Sequence, residues 1–117
     1  MSFDHGRLVD LRVVSQYVFD AVVNCAVLGA NTVVTNTTTK HLVLLQYVLT
    51  CNTPGNTVTW EDSDGVIKSG AMEFSATGGL VAGESSVGQF MIDAGKSLVI
   101  RLSAAQQVSG YLSYALV

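Results

Sequence analysis

The sequence predicts an all-β fold, a sandwich or barrel of short antiparallel strands. Three observations predict it. Leu98, Ile100 and Leu102 alternate with Val99, Arg101 and Ser103, the period-two pattern that sends one set of side chains into a core and the other outward. Short stretches of similar character recur at close, regular spacing along the chain. Glycine-rich connections separate them, at Gly78 and Gly79, Gly83 and Gly88.

Taken in order, Leu8 to Val14 places Val9, Leu11 and Val13 on one face and Asp10 and Arg12 on the other, as a first strand or an extended arm would. Tyr17 to Leu28 admits two readings. Tyr17, Phe19, Ala21, Val23, Cys25 and Val27 fit a strand, whereas Gln16, Asp20 and Asn24 recur every four residues between the possible helix caps Ser15 and Gly29. The dominance of valine and aromatic residues favours the strand. Asn31 to Asn36 then reads as a short strand, Thr37 to Thr39 as a turn, and His41 to Cys51 as a long strand with two apolar faces. Val43, Leu45, Tyr47 and Leu49 are assigned to one face, Leu42, Leu44 and Val48 to the other, as expected of a strand covered on both sides. After the turn Asn52 to Asn56, Val58 and Trp60 point inward and Thr57, Thr59 and Glu61 outward. Asp62-Ser63-Asp64-Gly65 turns the chain into Val66 to Lys68; Met72 and Phe74 mark another inward face, and Gln89 to Asp93 a further short strand. Gly95 to Ser103 and Val108 to Tyr114 read as a closing hairpin. Lys40-His41-Leu42-Val43-Leu44 echoes Lys96-Ser97-Leu98-Val99-Ile100, which marks two equivalent strands rather than a duplication.

At 117 residues the chain is one domain by length. It is 49% hydrophobic and only 13% charged, where ordinary soluble domains carry about 25% charged residues. A small domain cannot hide that much apolar surface, so other chains are expected to cover part of it. No apolar run approaches the roughly 18 residues of a membrane-spanning helix; the longest aliphatic block is Leu42 to Leu45. The N-terminal residues show no basic start followed by an apolar run, so synthesis in a cytoplasm is expected. The net charge of −3 and six scattered Lys and Arg residues argue against a nucleic-acid partner.

No catalytic constellation, metal-ligand set or cofactor motif emerges. Asp62-Ser63-Asp64-Gly65 begins like a calcium loop, but the closing bidentate Glu is missing, and an Asp-Gly turn explains it. Gly95-Lys96-Ser97 ends like a phosphate loop, yet Phe90 stands where the upstream Gly belongs. His5 and His41 occupy separate settings, and no Gly-x-Ser-x-Gly occurs. Asn36-Thr37-Thr38 matches a glycosylation acceptor, without a secretory route to make use of it. Cys25 and Cys51 lie among apolar residues and read as buried free thiols, with a disulfide as the alternative. Trp60, Tyr47, Tyr111 and Tyr114 could pack in the core or an interface, or stack on sugars.

The run from Asn31 to Tyr114, through Lys40-His-Leu-Val-Leu-Leu-Gln-Tyr-Val-Leu-Thr, Thr57-Val-Thr-Trp60, Ala94-Gly-Lys-Ser-Leu-Val-Ile-Arg-Leu-Ser and Val108-Ser-Gly-Tyr-Leu-Ser-Tyr, resembles the small β-sandwich virion proteins of tailed bacteriophages, of the head decoration (cement) or fibre type. The resemblance implies a single antiparallel β-sandwich, jelly-roll-like, over residues 31–117; residues 1–30 fall outside it and are read from their own pattern as an N-terminal extended arm and first strand or strands. It also implies a homotrimer on the virion capsid surface, bound across capsomer boundaries to the major capsid protein, with no enzymatic activity and no cofactor. On that reading Phe3, Leu8, Val9, Leu11 and Val13 form a capsid-contacting arm, and Leu42, Leu44 and Val48 a protomer interface. The alternative is a carbohydrate or receptor-binding module of a fibre or spike, in which Trp60 and Tyr111 stack on the glycan.

Overall fold

Alternation settles the ambiguous stretch first. In a computed structural model, which describes residues 18–75, 79–83, 85 and 87–117, Val18–Cys25 is a strand, β1. Ala21, Val23 and Cys25 pack into the core. Asp20 and Asn24, which mimic a helical spacing of four, belong with Val22 to the opposite face, because a period of four is also two periods of two. The remaining strands are β2 (Gly29–Val34), β3 (Leu42–Cys51), β4 (Thr57–Asp62), β5 (Met72–Glu73), β6 (Gly79–Ala82), β7 (Phe90–Ile92), β8 (Leu98–Leu102) and β9 (Val108–Leu116).

The strands form two antiparallel sheets. One runs β1-β9-β3-β6, with β7 also on β3; the other runs β2-β8-β4-β5. The topology follows from reading the pairs outward from the β4–β5 connection. β4 pairs β5, β3 pairs β6 and β7, β2 pairs β8, and β1 pairs β9. These pairs make one long two-stranded ribbon. It is rolled up so that β9 also bonds β3 and β8 also bonds β4. A ribbon rolled in this way is a jelly roll, the two-sheet solution that leaves few exposed edges. β6 and β7 share one strand position, opposite Tyr47–Thr50 and Leu42–Leu44 of β3 respectively.

Two expectations are corrected here. β8 and β9 are not a hairpin: they lie in opposite sheets, and residues 103–107 carry the chain from one to the other. Both strands alternate as expected, but alternation gives a strand its faces and not its partner. The second correction concerns β3. Its register against β9 shifts between Leu44 and Gln46, leaving Leu45 as the extra residue of a bulge. The bulge moves the inward set from Leu42 and Leu44 to Tyr47, Leu49 and Cys51, so Leu42 and Leu44 lie inside the roll with Tyr47 and Leu49. All eight residues of β1, a strand within the first 30 residues, pair with β9.

Leu42, Leu44 and Leu49 of β3, Val58 and Trp60 of β4, Leu98, Ile100 and Leu102 of β8, and Leu112 of β9 fill the space between the sheets. Burying each side chain contributes roughly 1.5–3 kcal/mol. Trp60 sits at the centre of an aromatic group, with ring centroids 5.2 Å from Tyr47 and 6.3 Å from Phe90. At one end of the roll Asn36 ties two connections together, donating from Nδ2 to the carbonyls of Lys40 and Lys96. Asn36, the first residue of the acceptor-like Asn36-Thr37-Thr38, is thus a buried loop brace, while Thr37 and Thr38 are exposed.

Candidate functional site: a cleft on the five-stranded sheet

Outward-facing residues of β1, β9 and β3 meet in rows across the sheet. Asp20 lies opposite Ser113, which lies opposite Gln46. The neighbouring row runs Val22, Tyr111, Val48 and on to Val81 of β6. Asp20, Ala21, Val22, Gln46, Tyr111 and Ser113 line a cleft of about 450 Å³ where the two rows meet. That volume lies within the range of small-ligand sites.

The polar row is wired in one direction. Gln46 Nε2 donates to Ser113 Oγ at 3.3 Å, and Ser113 Oγ donates to Asp20 Oδ1 at 2.8 Å. Ser113 thereby spends its proton on Asp20, which leaves Asp20 Oδ2 and Gln46 Oε1, on two residues that line the cleft, as remaining acceptors among the described residues. Beside them Tyr111 is 53% exposed and Val22 75%. The cleft therefore combines acceptors for hydroxyl or amine donors with an aromatic and aliphatic wall.

Of the sequence-predicted residues, Tyr111 lies in this cleft and Val48 at its margin. Trp60 does not: it is 1% exposed, on the inner face of the other sheet, and cannot stack on a ligand. Leu42 and Leu44 are fully buried within one chain, so neither reaches a second protomer without opening the core. Phe3, Leu8, Val9, Leu11 and Val13 lie outside the described residues. Asp20, Gln46 and Ser113 were missed. Their one sequence signal is that Gln46 and Ser113 interrupt otherwise apolar strands.

A second polar feature went unseen on the other sheet. Glu61, on the outward side of β4, is buried beneath a bidentate pair with Arg101 of β8, in which Nε donates to Oε2 at 2.6 Å and Nη2 to Oε1 at 3.2 Å. The carboxylate raises the Arg101 pKa, and the fork fixes the pair's geometry. Asp62, by contrast, shapes the Asp-Gly turn, accepting from the backbone N–H groups of Asp64 and Val66. Among the described residues no group of three His, Cys, Asp or Glu side chains is placed to hold a metal ion, and no helix is long and apolar enough to cross a membrane. Cys25 and Cys51 flank Val108 on its two sides, each directly opposite it. Two strand spacings separate them by about 10 Å, beyond the roughly 7 Å that a disulfide spans, and both are free thiols. No protein-family model, curated protein or solved structure matches the chain.

Proposed function

We propose that the protein is a non-enzymatic structural component of a tailed-phage virion, a trimeric capsid decoration (cement) protein that binds the major capsid protein across capsomer boundaries and stabilises the head. The resemblance over Asn31 to Tyr114 supports the virion setting. One observation carries the bridging role: the roll exposes apolar pairs toward opposite ends. Val27 and Leu28 precede β2 at the end where Gly29, Leu102 and Val58 align, whereas Val66 and Ile67 follow the turn at the end where Val34, Leu98 and Asp62 align. A protein that joins two neighbours needs two such surfaces, and exposed apolar groups mark contact sites on small soluble domains. A ligand that binds only the assembled shell shifts the equilibrium toward it, by about 2.7 kcal/mol at a hundredfold excess over Kd.

The test mixes the purified protein with undecorated capsids and reads co-sedimentation and the melting temperature of the shell. The expected outcome is binding with a raised shell Tm, and a native mass of three chains for the free protein. Val27→Asp with Leu28→Asp, and separately Val66→Asp with Ile67→Asp, should each abolish the Tm increase. Full stabilisation by both variants would rule out the two-ended reading. Deletion of residues 1–14 is the companion test for the arm, with capsid binding lost and the oligomer intact as the expected result.

A further inference from the structure

The cleft on the five-stranded sheet is not needed for a two-ended bridge, and its chemistry points elsewhere. We propose that it binds a neutral saccharide. A pyranose presents hydroxyl donors around its rim and C–H groups on its faces. The cleft presents the complementary pair in adjacent rows: acceptors from Asp20 and Gln46, and the wall of Tyr111 and Val22.

The register makes the arrangement rigid. Asp20 and Gln46 sit on strands either side of β9, two strand spacings apart or about 10 Å, and both are tethered through Ser113. Acceptors held by strands and a hydrogen-bond chain are already ordered before a ligand arrives, which lowers the entropic cost of binding. Among the described residues Ser113 is the one hydrogen-bond donor to the Asp20 side chain. Its remaining acceptor capacity suits paired hydroxyls, since a carboxylate accepts at two oxygens. The same carboxylate selects the class of sugar. An acidic saccharide would bring like charge against Asp20 on a chain whose net charge is already −3. Neutral saccharides meet no such repulsion, and Tyr111 supplies the ring on which their C–H faces pack.

This site is separate from both apolar ends, so its test is independent of capsid binding. The full chain is screened on an array of neutral and acidic oligosaccharides, and the best hit is titrated free in solution by calorimetry. The expected result is a neutral hit whose affinity falls at least tenfold in Tyr111→Ala and in Asp20→Asn. Asp20→Asn keeps an oxygen for Ser113, and native mass and melting temperature are recorded for both variants to confirm that they fold. No hit on the array, a preference for acidic sugars, or a hit whose affinity neither folded variant changes would overturn the proposal.

Discussion

The outer face of the five-stranded sheet is apolar in two places, and they have opposite fates. Toward one end Val43, Leu45 and Ala115 are buried, packed with Val18, Met91 and Val117. Toward the other, Val22, Tyr111 and Val81 stand open beside the cleft. The strands are the same and the side chains are similar in size and chemistry. What differs is the covering. Gly88 and Gln89 run along the β7 edge of the first region: the Gln89 backbone N–H donates to Leu44 O at 2.6 Å, and its side chain bridges the carbonyls of Leu45 and Gly83. Gly88 fits there because its φ is +81° and because any Cβ would run into the Val43 side chain. Apolar composition alone therefore does not decide which part of a sheet face is buried; the first region is closed by Val18, Met91 and Val117 packed on it.

The largest expected effect removes the frame both regions share. Gly110 of β9 pairs with Val23 of β1 and Leu49 of β3, with φ at +152°, and a Cβ there would strike the Val48 carbonyl oxygen. Because the obstacle is backbone, relief requires parting β9 from β3. Gly110→Ala is expected to cost more than about 4 kcal/mol in chemical denaturation, or to prevent folding. A variant within 1 kcal/mol of wild type, roughly the scale of an ordinary substitution, would show that β9 and β3 can separate locally, and the shared frame would lose its meaning.

The next prediction compares the two regions directly. Leu45→Ala empties a covered position and should cost about 2–3 kcal/mol. Val22→Ala trims an open one and should change stability by less than about 0.5 kcal/mol. Equal losses in urea titrations of the free protein would mean that the second region is also covered in solution, and a concentration dependence of the Val22→Ala loss would identify a second copy as the cover.

This contrast also explains what could be read from the chain. The inward positions Val58, Trp60, Phe74, Leu98, Ile100 and Leu102 were legible because alternation is local and each strand keeps it. The faces of β3 were not, because the single extra residue Leu45 reverses inside and outside at that point. Nor was the crossing from β8 to β9, since partner choice depends on strands some tens of residues away, such as β2 for β8 and β1 for β9. The cleft needed two registers at once: Asp20, Gln46 and Ser113 are remote in the chain and meet only through β9. Tyr111 alone was singled out there, as an aromatic able to pack in a core or interface or to stack on a sugar. Glu61 was placed on the correct face but not in its burial, which depends on a partner forty positions away.

The smallest effect sharpens the comparison from beneath. If the second region is open only on its outer side, the inner side of β1 below it must be as dry as the rest of the core, and Cys25 reports on that. Burial raises the thiol above its ordinary value of 9.0, with a backbone hydrogen bond at Asn24 opposing in part. In the unfolded chain the thiol ionises near the ordinary value; in the folded chain it holds its proton to higher pH. The unfolded state thus loses the proton first, so the stability contribution is fully present below about 9 and is lost as pH rises through that value toward the folded one. The slope from this one group is at most about 1.4 kcal/mol per pH unit. Cys25→Ala should flatten the wild-type decline above pH 9 by that component, in urea titrations at matched pH, and native Cys25 should alkylate far more slowly than the unfolded thiol. An unchanged slope with fast native alkylation would place water at Cys25, and the second region would then be open on both sides of β1.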